Sequence, residues 1–137
     1  MRGLALAVAL TTALGWAPAA EAAAPGAPRL IGTTLSAVVF TRNPPSADGE
    51  LVRTMLQAYL RDDGSAIVRV WDADRDRYTQ PVERPWSFSD GVLCLGLPAG
   101  RICVRVHRWG PRIAGFAVRP YAMLDGDVQT GNAIVGR

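Results

Sequence analysis

The chain has no lysine. All fifteen of its basic residues are arginine, set against twelve acidic residues and one histidine, for a formal charge of +3. A GC-rich coding sequence explains that bias. It also leaves only planar, bidentate cations, which suit carboxylates and phosphates. Beyond Arg2 the arginines are scattered from Arg29 to Arg137 and form no run, so the basic stripe interleaved with aromatics that nucleic-acid binding needs is missing. Cysteine is limited to Cys94 and Cys103, and His107 is the sole histidine. Two Cys and one His without a second pair make a poor zinc set. There is no G-x-S-x-G elbow and no glycine-rich phosphate loop opening a helix. The carboxylates of Asp62, Asp63, Asp90, Asp125 and Asp127 sit in turn signals, where Asp is expected for backbone reasons. The sequence thus offers no catalytic, cofactor-binding or metal set, and the chain reads as a non-enzyme.

The one extended apolar run lies at the start. Met1 and Arg2 precede an almost unbroken apolar stretch over 4–16, followed by alanine-rich residues 18–24. This is the layout of a secretory signal peptide, with a charged start, an apolar middle and a small-residue cleavage site. Ala20-Glu21-Ala22 places the cut before Ala23. The run is shorter than the roughly 20 apolar residues a bilayer span requires, and no later stretch is long enough either, so no membrane span is expected. Removing 1–22 leaves about 115 residues, the size of one small domain. Residues 23–29 form a Pro/Ala/Gly arm and 30–137 the domain. Periplasmic or secreted localisation follows.

From Leu30 onward, turn signals recur at short spacing: Asn43-Pro44-Pro45, Asp48-Gly49, Asp63-Gly64, Asp90-Gly91, Pro98-Ala99-Gly100, Gly110-Pro111 and Asp125-Gly126. Between them lie short apolar or alternating runs at 35–41, 66–72, 86–88, 92–97, 102–107 and 113–118. That pattern predicts an all-β chain, a small antiparallel barrel or flattened sandwich. One segment resists it. Leu51, Val52, Met55, Leu56, Tyr59 and Leu60 recur at spacings of one and four, a helical stripe. The following Asp63-Gly64 reads instead as a hairpin turn. Residues 56–61 are read as a strand, with one short helix from Glu50 as the open alternative.

Cys94 and Cys103 flank an evident hairpin centred on Pro98-Ala99. Placing them opposite each other sets Leu93 against Val104 and Leu95 against Ile102, with Leu97 and Val106 on the same aliphatic face. The other face carries Val92, Cys94, Arg101, Cys103, Arg105 and His107. In an exported chain this pair reads as a disulfide, contributing about 2 to 3 kcal/mol for so short a loop. Arg101, Arg105 and His107 form a candidate binding surface.

Residues 72–83 match the ligand spacing of an EF-hand loop through Asp72, Asp74, Asp76, Gln80 and Glu83. Arg77 stands where that loop needs glycine, Pro81 follows, and the preceding AIVRVW reads as a strand rather than an entering helix. A solvated turn with internal Asp–Arg pairing is the expectation, and no metal. His107 has no nucleophile beside it other than the paired cysteines, and reads as a surface histidine. Trp71, Trp86 and Trp109 suit either a core or a pocket, with the core favoured in so small a barrel.

The layout Ile31-Gly-Thr-Thr-Leu35, Tyr59-Leu-Arg-Asp-Asp-Gly64, Trp86-Ser-Phe-Ser-Asp-Gly-Val-Leu-Cys94, Cys103 and Gly131-Asn132 resembles small exported proteobacterial β-domains of unassigned function. Thr33 stands where that layout usually has Asn. The Trp86-x-x-x-Asp90-Gly91 portion is also similar to bacterial metalloprotease inhibitors of the eight-stranded barrel type, which insert an N-terminal arm into the protease. The proline content of residues 23–29 departs from such an arm. Neither resemblance carries over a catalytic residue.

The expectation is an exported, non-enzymatic binding module of the cell envelope whose partner is a protein or an anionic envelope polymer. The alternative is an inhibitor of an exported peptidase. The exported form is predicted to begin at Ala23 and to hold the Cys94–Cys103 bond. Intact mass of the periplasmic protein before and after reduction and alkylation checks both; two thiols that alkylate without reduction would exclude the bond.

Overall fold

The structure is a computed structural model that describes residues 29–44, 46, 48–117 and 121–134. The expected signal peptide, and all of the arm but Arg29, lie outside the described residues. Among the described residues nine strands form a single antiparallel sheet: β1 (Thr33–Asn43), β2 (Glu50–Leu60), β3 (Ser65–Asp72), β4 (Arg77–Tyr78), β5 (Val82–Ser89), β6 (Val92–Leu97), β7 (Gly100–Arg108), β8 (Arg112–Ala117) and β9 (Ala122–Thr130). Each long strand pairs with the next. β2 pairs with β3, and β1 pairs along its length with β9, so the sheet closes into a near-barrel ring. The two-residue β4 lies outside that circuit, on the far half of β3, where Trp71 faces Tyr78.

Period-two alternation sorts the side chains. Leu35, Ala37 and Val39 of β1, Leu56, Ala58 and Leu60 of β2, and Ala66 and Val68 of β3 point inward. Trp86 and Phe88 of β5, Leu93, Leu95 and Leu97 of β6, Ile102, Val104 and Val106 of β7, Ile113 of β8, and Ala122 and Leu124 of β9 complete the core. A ring of this size has an interior only wide enough for side chains, so large and small residues must alternate around it. Trp86 and Phe88 fill one side, and Ala37, Ala58 and Ala66 lie among the small residues elsewhere. At Gly126 an added Cβ would lie 2.5 Å from the Ser36 carbonyl oxygen and 2.6 Å from Ala37 Cβ. The close approach of β9 to β1 therefore depends on glycine there.

One end of the ring is plugged. Leu30 and Ile134 are buried beside it. Thr34 Oγ1 donates to the Gly131 carbonyl at 2.6 Å and accepts from the Ala133 amide at 2.9 Å, and the Gly131 amide donates to the Gly32 carbonyl at 2.9 Å. Trp86 Nε1 donates to the Arg61 carbonyl at 2.8 Å, and Trp109 meets the edge of Phe88 at 4.8 Å. The two chain termini, as far as described, thus clasp each other over this end.

The all-β expectation and the hairpin register hold: Cys94 faces Cys103, Leu93 faces Val104, Leu95 faces Ile102, and the disulfide is formed. The strand read at 56–61 also holds and begins earlier, at Glu50; among the described residues the alternative helix is not formed. One reading is corrected: Asp125-Gly126 is no turn but the middle of β9. Gly126 serves the close approach to β1, while Asp125 and Asp127 point outward to Arg112 Nη2 and Nη1 at 2.8 and 3.2 Å.

Leu95→Asp puts an unpaired charge in the aliphatic interior and is expected to cost several kcal/mol, enough to unfold a domain whose margin is about 5 to 15 kcal/mol. Gly126→Ala forces β1 and β9 apart and is expected to cost about 1 to 3 kcal/mol. Arg105→Ala removes only an exposed bond to the Asp90 carbonyl and is expected to stay within about 0.5 kcal/mol. Denaturant unfolding of the three variants checks this order.

Candidate functional site

The end of the ring opposite the clasp is open. It is bounded by the connections β1–β2, β3–β5, β6–β7 and β8–β9, and it holds a cavity of about 460 Å³. Strand alternation explains its lining. Val39, Leu97, Ile102 and Ala122 are the last buried inward residues and form an apolar floor. Thr41 of β1, with Val52 and Thr54 of β2, continue the inward rows past the core and become the walls. Arg42, Asn43, Arg101 and Tyr121 complete the rim. Arg42 Nη1 donates to the Gly49 carbonyl at 2.9 Å, and its guanidinium lies 4.9 Å from the centre of the Tyr121 ring. Tyr121 in turn meets Phe116 edge to face at 5.9 Å. A backbone bond and an aromatic face hold Arg42 in place without neutralising it. No acidic side chain is among the lining residues of this mouth.

A second cavity lies outside the ring, where β4 folds over β3. Arg69 points outward from β3 and is 8% exposed. Its Nε and Nη2 donate to Gln57 Oε1 of the paired strand, and its guanidinium lies 4.4 Å from the Tyr78 ring centre. Trp71 stands edge-on to Tyr78 at 5.2 Å. Arg75 and Arg77 line this cleft together with Asp72 and Asp76, so its charge is mixed and largely internal. Arg69 links β2, β3 and β4; sequence reasoning missed it, although an arginine inside AIVRVW is the signal that such a cover exists.

The EF-hand-like spacing resolves into a turn. Asp72 ends β3 and accepts from the Asp74 amide at 3.0 Å and from Arg75 Nη1 at 3.0 Å. The bond from Arg75 holds its carboxyl below the usual range. Positive φ falls on Asp76, at 54°, one residue before the Arg77 position singled out from sequence. Glu83 is on β5, paired with Arg61 Nη2 at 3.1 Å. In the β2–β3 turn, the Ser65 hydroxyl donates to Asp63 Oδ1 at 2.6 Å and lowers that carboxyl as well. Both carboxylates support the fold above the ordinary aspartate pKa, and that support is lost as pH falls below it.

Arg101, Arg105 and His107 do share the outward face of β7, but not one site. Arg101 reaches the mouth and places Nη2 3.7 Å from Cys94 Sγ. Arg105 Nη1 donates to the Asp90 carbonyl at 3.1 Å. His107 sits at a register shift between Val106 and Arg108 and lines a shallow groove with Arg112, Met123 and Asp125. Trp86 is wholly buried and Trp109 packs on the core, whereas Trp71 lines the outer cleft. Asp90-Gly91 is the β5–β6 turn, with φ of 56° and 78°. The Trp-x-x-x-Asp-Gly segment is accounted for by core and turn.

The chain matches no protein-family model, no curated protein and no solved structure.

With Asp72 held by Arg75 and Glu83 by Arg61, calcium must break two ion pairs to gather this loop. Calorimetric titration of the mature protein with Ca²⁺ at physiological salt is expected to show no stoichiometric site tighter than millimolar. A tighter site abolished by Asp74→Asn would contradict this.

Proposed function

We propose that the chain is an exported, non-enzymatic binding module of the cell envelope, and that its binding site is the open mouth of the ring. The observation that carries the reading is the composition of that mouth: an apolar floor, hydroxyl walls and an arginine rim without a lining carboxylate. A concave, largely apolar cavity of about 300 to 1,000 Å³ with a few convergent polar groups is what small-ligand sites look like. The floor accepts a compact hydrocarbon body. Arg42 supplies a fixed guanidinium for an anionic head, a charge-assisted contact worth about 1.5 to 3 kcal/mol. Thr41, Thr54 and Asn43 offer orienting hydrogen bonds. These groups bind and position; they are not paired as nucleophile and base. Export rests on the leader over 1–22 and is supported by the disulfide.

Octanoate and octylammonium share a hydrocarbon tail and differ in the sign of the head. Calorimetry on the mature protein is expected to give 1:1 binding of octanoate, at least about tenfold tighter than octylammonium. Arg42→Gln is expected to weaken octanoate by about 10- to 100-fold, as loss of a charge-assisted bond implies. Val52→Trp, at a wall position 38% exposed, is expected to block the mouth without touching the core. Equal affinity for both heads, or binding that survives Val52→Trp, would exclude the mouth as the site.

A further inference from the structure

The outer surface of β2, β1, β9 and β8 is divided along the ring axis. In the half nearer the mouth, the outward residues are Leu51, Arg53 and Met55 of β2, Val38, Phe40 and Arg42 of β1, Tyr121 and Met123 around the start of β9, and Phe116 of β8. The register makes them contiguous: Arg42 pairs with Leu51, Phe40 with Arg53 and Met123, Val38 with Met55, and Met123 with Phe116. Leu51 is 50% exposed, Phe116 41%, and Met55 and Met123 37% each. The one carboxylate beside this band is Asp125, opposite Val38, and it is paired with Arg112 at 2.8 Å. In the half nearer the clasp, beyond the boundary row of Val38 and Asp125, the outward residues of the same strands are Ser36, Gln57, Tyr59, Asp127, Gln129 and Arg112, all polar.

Outward positions of a ring whose core lies inside are ordinarily polar. An apolar band across four adjacent strands therefore marks a surface that something covers. Strand addition does not cover it: β1, β9 and β8 already pair on both edges, and the one unpaired edge, that of β2 over Glu50–Met55, lies at the side of the band and would leave Phe40, Met123 and Phe116 open. A second copy is disfavoured by charge, since face-to-face packing sets Arg42 and Arg53 against the same arginines, and the bordering Asp125 is already paired with Arg112. Apolar and aromatic side chains mixed with arginine, with the one bordering carboxylate neutralised by Arg112, are instead complementary to an anionic lipid surface. Phe116, Met123 and Leu51 enter the headgroup–acyl boundary while the guanidinium groups meet phosphates.

We propose that this band is a peripheral docking face for anionic phospholipid bilayers, and that docking turns the mouth of the ring toward the membrane. Arg42 and Tyr121 border both the mouth and the band, so the inference rests on Leu51, Arg53, Phe40, Phe116 and Met123, which do not line the mouth, and the variants expected to weaken docking are drawn only from that set. Each arginine near an anionic surface raises binding about five-fold, so reversing one charge is expected to lower it by about twenty-fold.

The test is co-flotation of the mature protein with vesicles of phosphatidylglycerol and, separately, of phosphatidylcholine. Binding is expected to phosphatidylglycerol only and to fall with added salt. Arg53→Glu is expected to reduce it by about twenty-fold, the double variant Phe116→Ser, Met123→Ser to abolish it, and Gln129→Ser on the polar half to leave it unchanged. Circular dichroism melting confirms that each variant is folded, and octanoate binding by Arg53→Glu is expected to match the parent. Equal flotation with both lipids, flotation with neither, or a dimer in sedimentation equilibrium that the same variants dissociate would each overturn the proposal; the last would assign the face to self-association.

Discussion

The pairing of β1 with β9 is the contact on which the molecule depends. It runs from Thr33 opposite Thr130 to Thr41 opposite Ala122 and joins the first strand to the last. Without it the meander would be an open sheet with two long unpaired edges, which invite association with other chains. The pairing demands a close approach at Gly126, and it brings the ends of the domain within reach of each other. The Thr34–Gly131–Ala133 clasp follows from that proximity. Because both described termini are spent on one end, burying Leu30 and Ile134 there, the opposite end keeps its opening.

Closure also decides where function can sit. The interior is filled by side chains, from Trp86 and Phe88 across to Ala58 and Ala66, so no ligand reaches its middle. Space remains only where inward rows run past the last core layer, above Val39, Leu97, Ile102 and Ala122. The rim adds Arg42, held against Tyr121, and Tyr121 leans on Phe116. Mouth and outer band are thus joined through one aromatic pair, although one faces inward and the other outward.

The hairpin of β6 and β7 was legible because every cue agreed: alternation, a Pro-Ala-Gly turn, and two cysteines at matched positions. Residues 50–60 were ambiguous for a physical reason. Inward Val52, Leu56 and Leu60 and outward Leu51 and Met55 are all apolar, so two faces of one strand merge into a helix-like spacing. The exposed half of that pattern is the outer band, which a reader expecting a polar exterior does not foresee. β9 was hidden because Asp-Gly has the chemistry of a turn; only its neighbours, Ala37 inside and Arg112 outside, give Gly126 and Asp125 their places in a strand. The mouth was not legible, since Thr41 and Arg42 of β1 and Thr54 of β2 meet Tyr121 and the β6–β7 residues, far off in sequence, only through ring closure. Arg101 alone of the sequence-derived surface lies on it.

Mapping amide chemical shifts of the mature protein as octanoate is added tests most directly whether the open end is the binding face. The account predicts shifts that saturate together and cluster at Thr41, Val52, Thr54, Leu97, Ile102 and Ala122, with Leu30, Trp86 and Trp109 at the clasped end unmoved. Shifts centred on the clasped end, or on Arg69 and Tyr78 in the outer cleft, would contradict it.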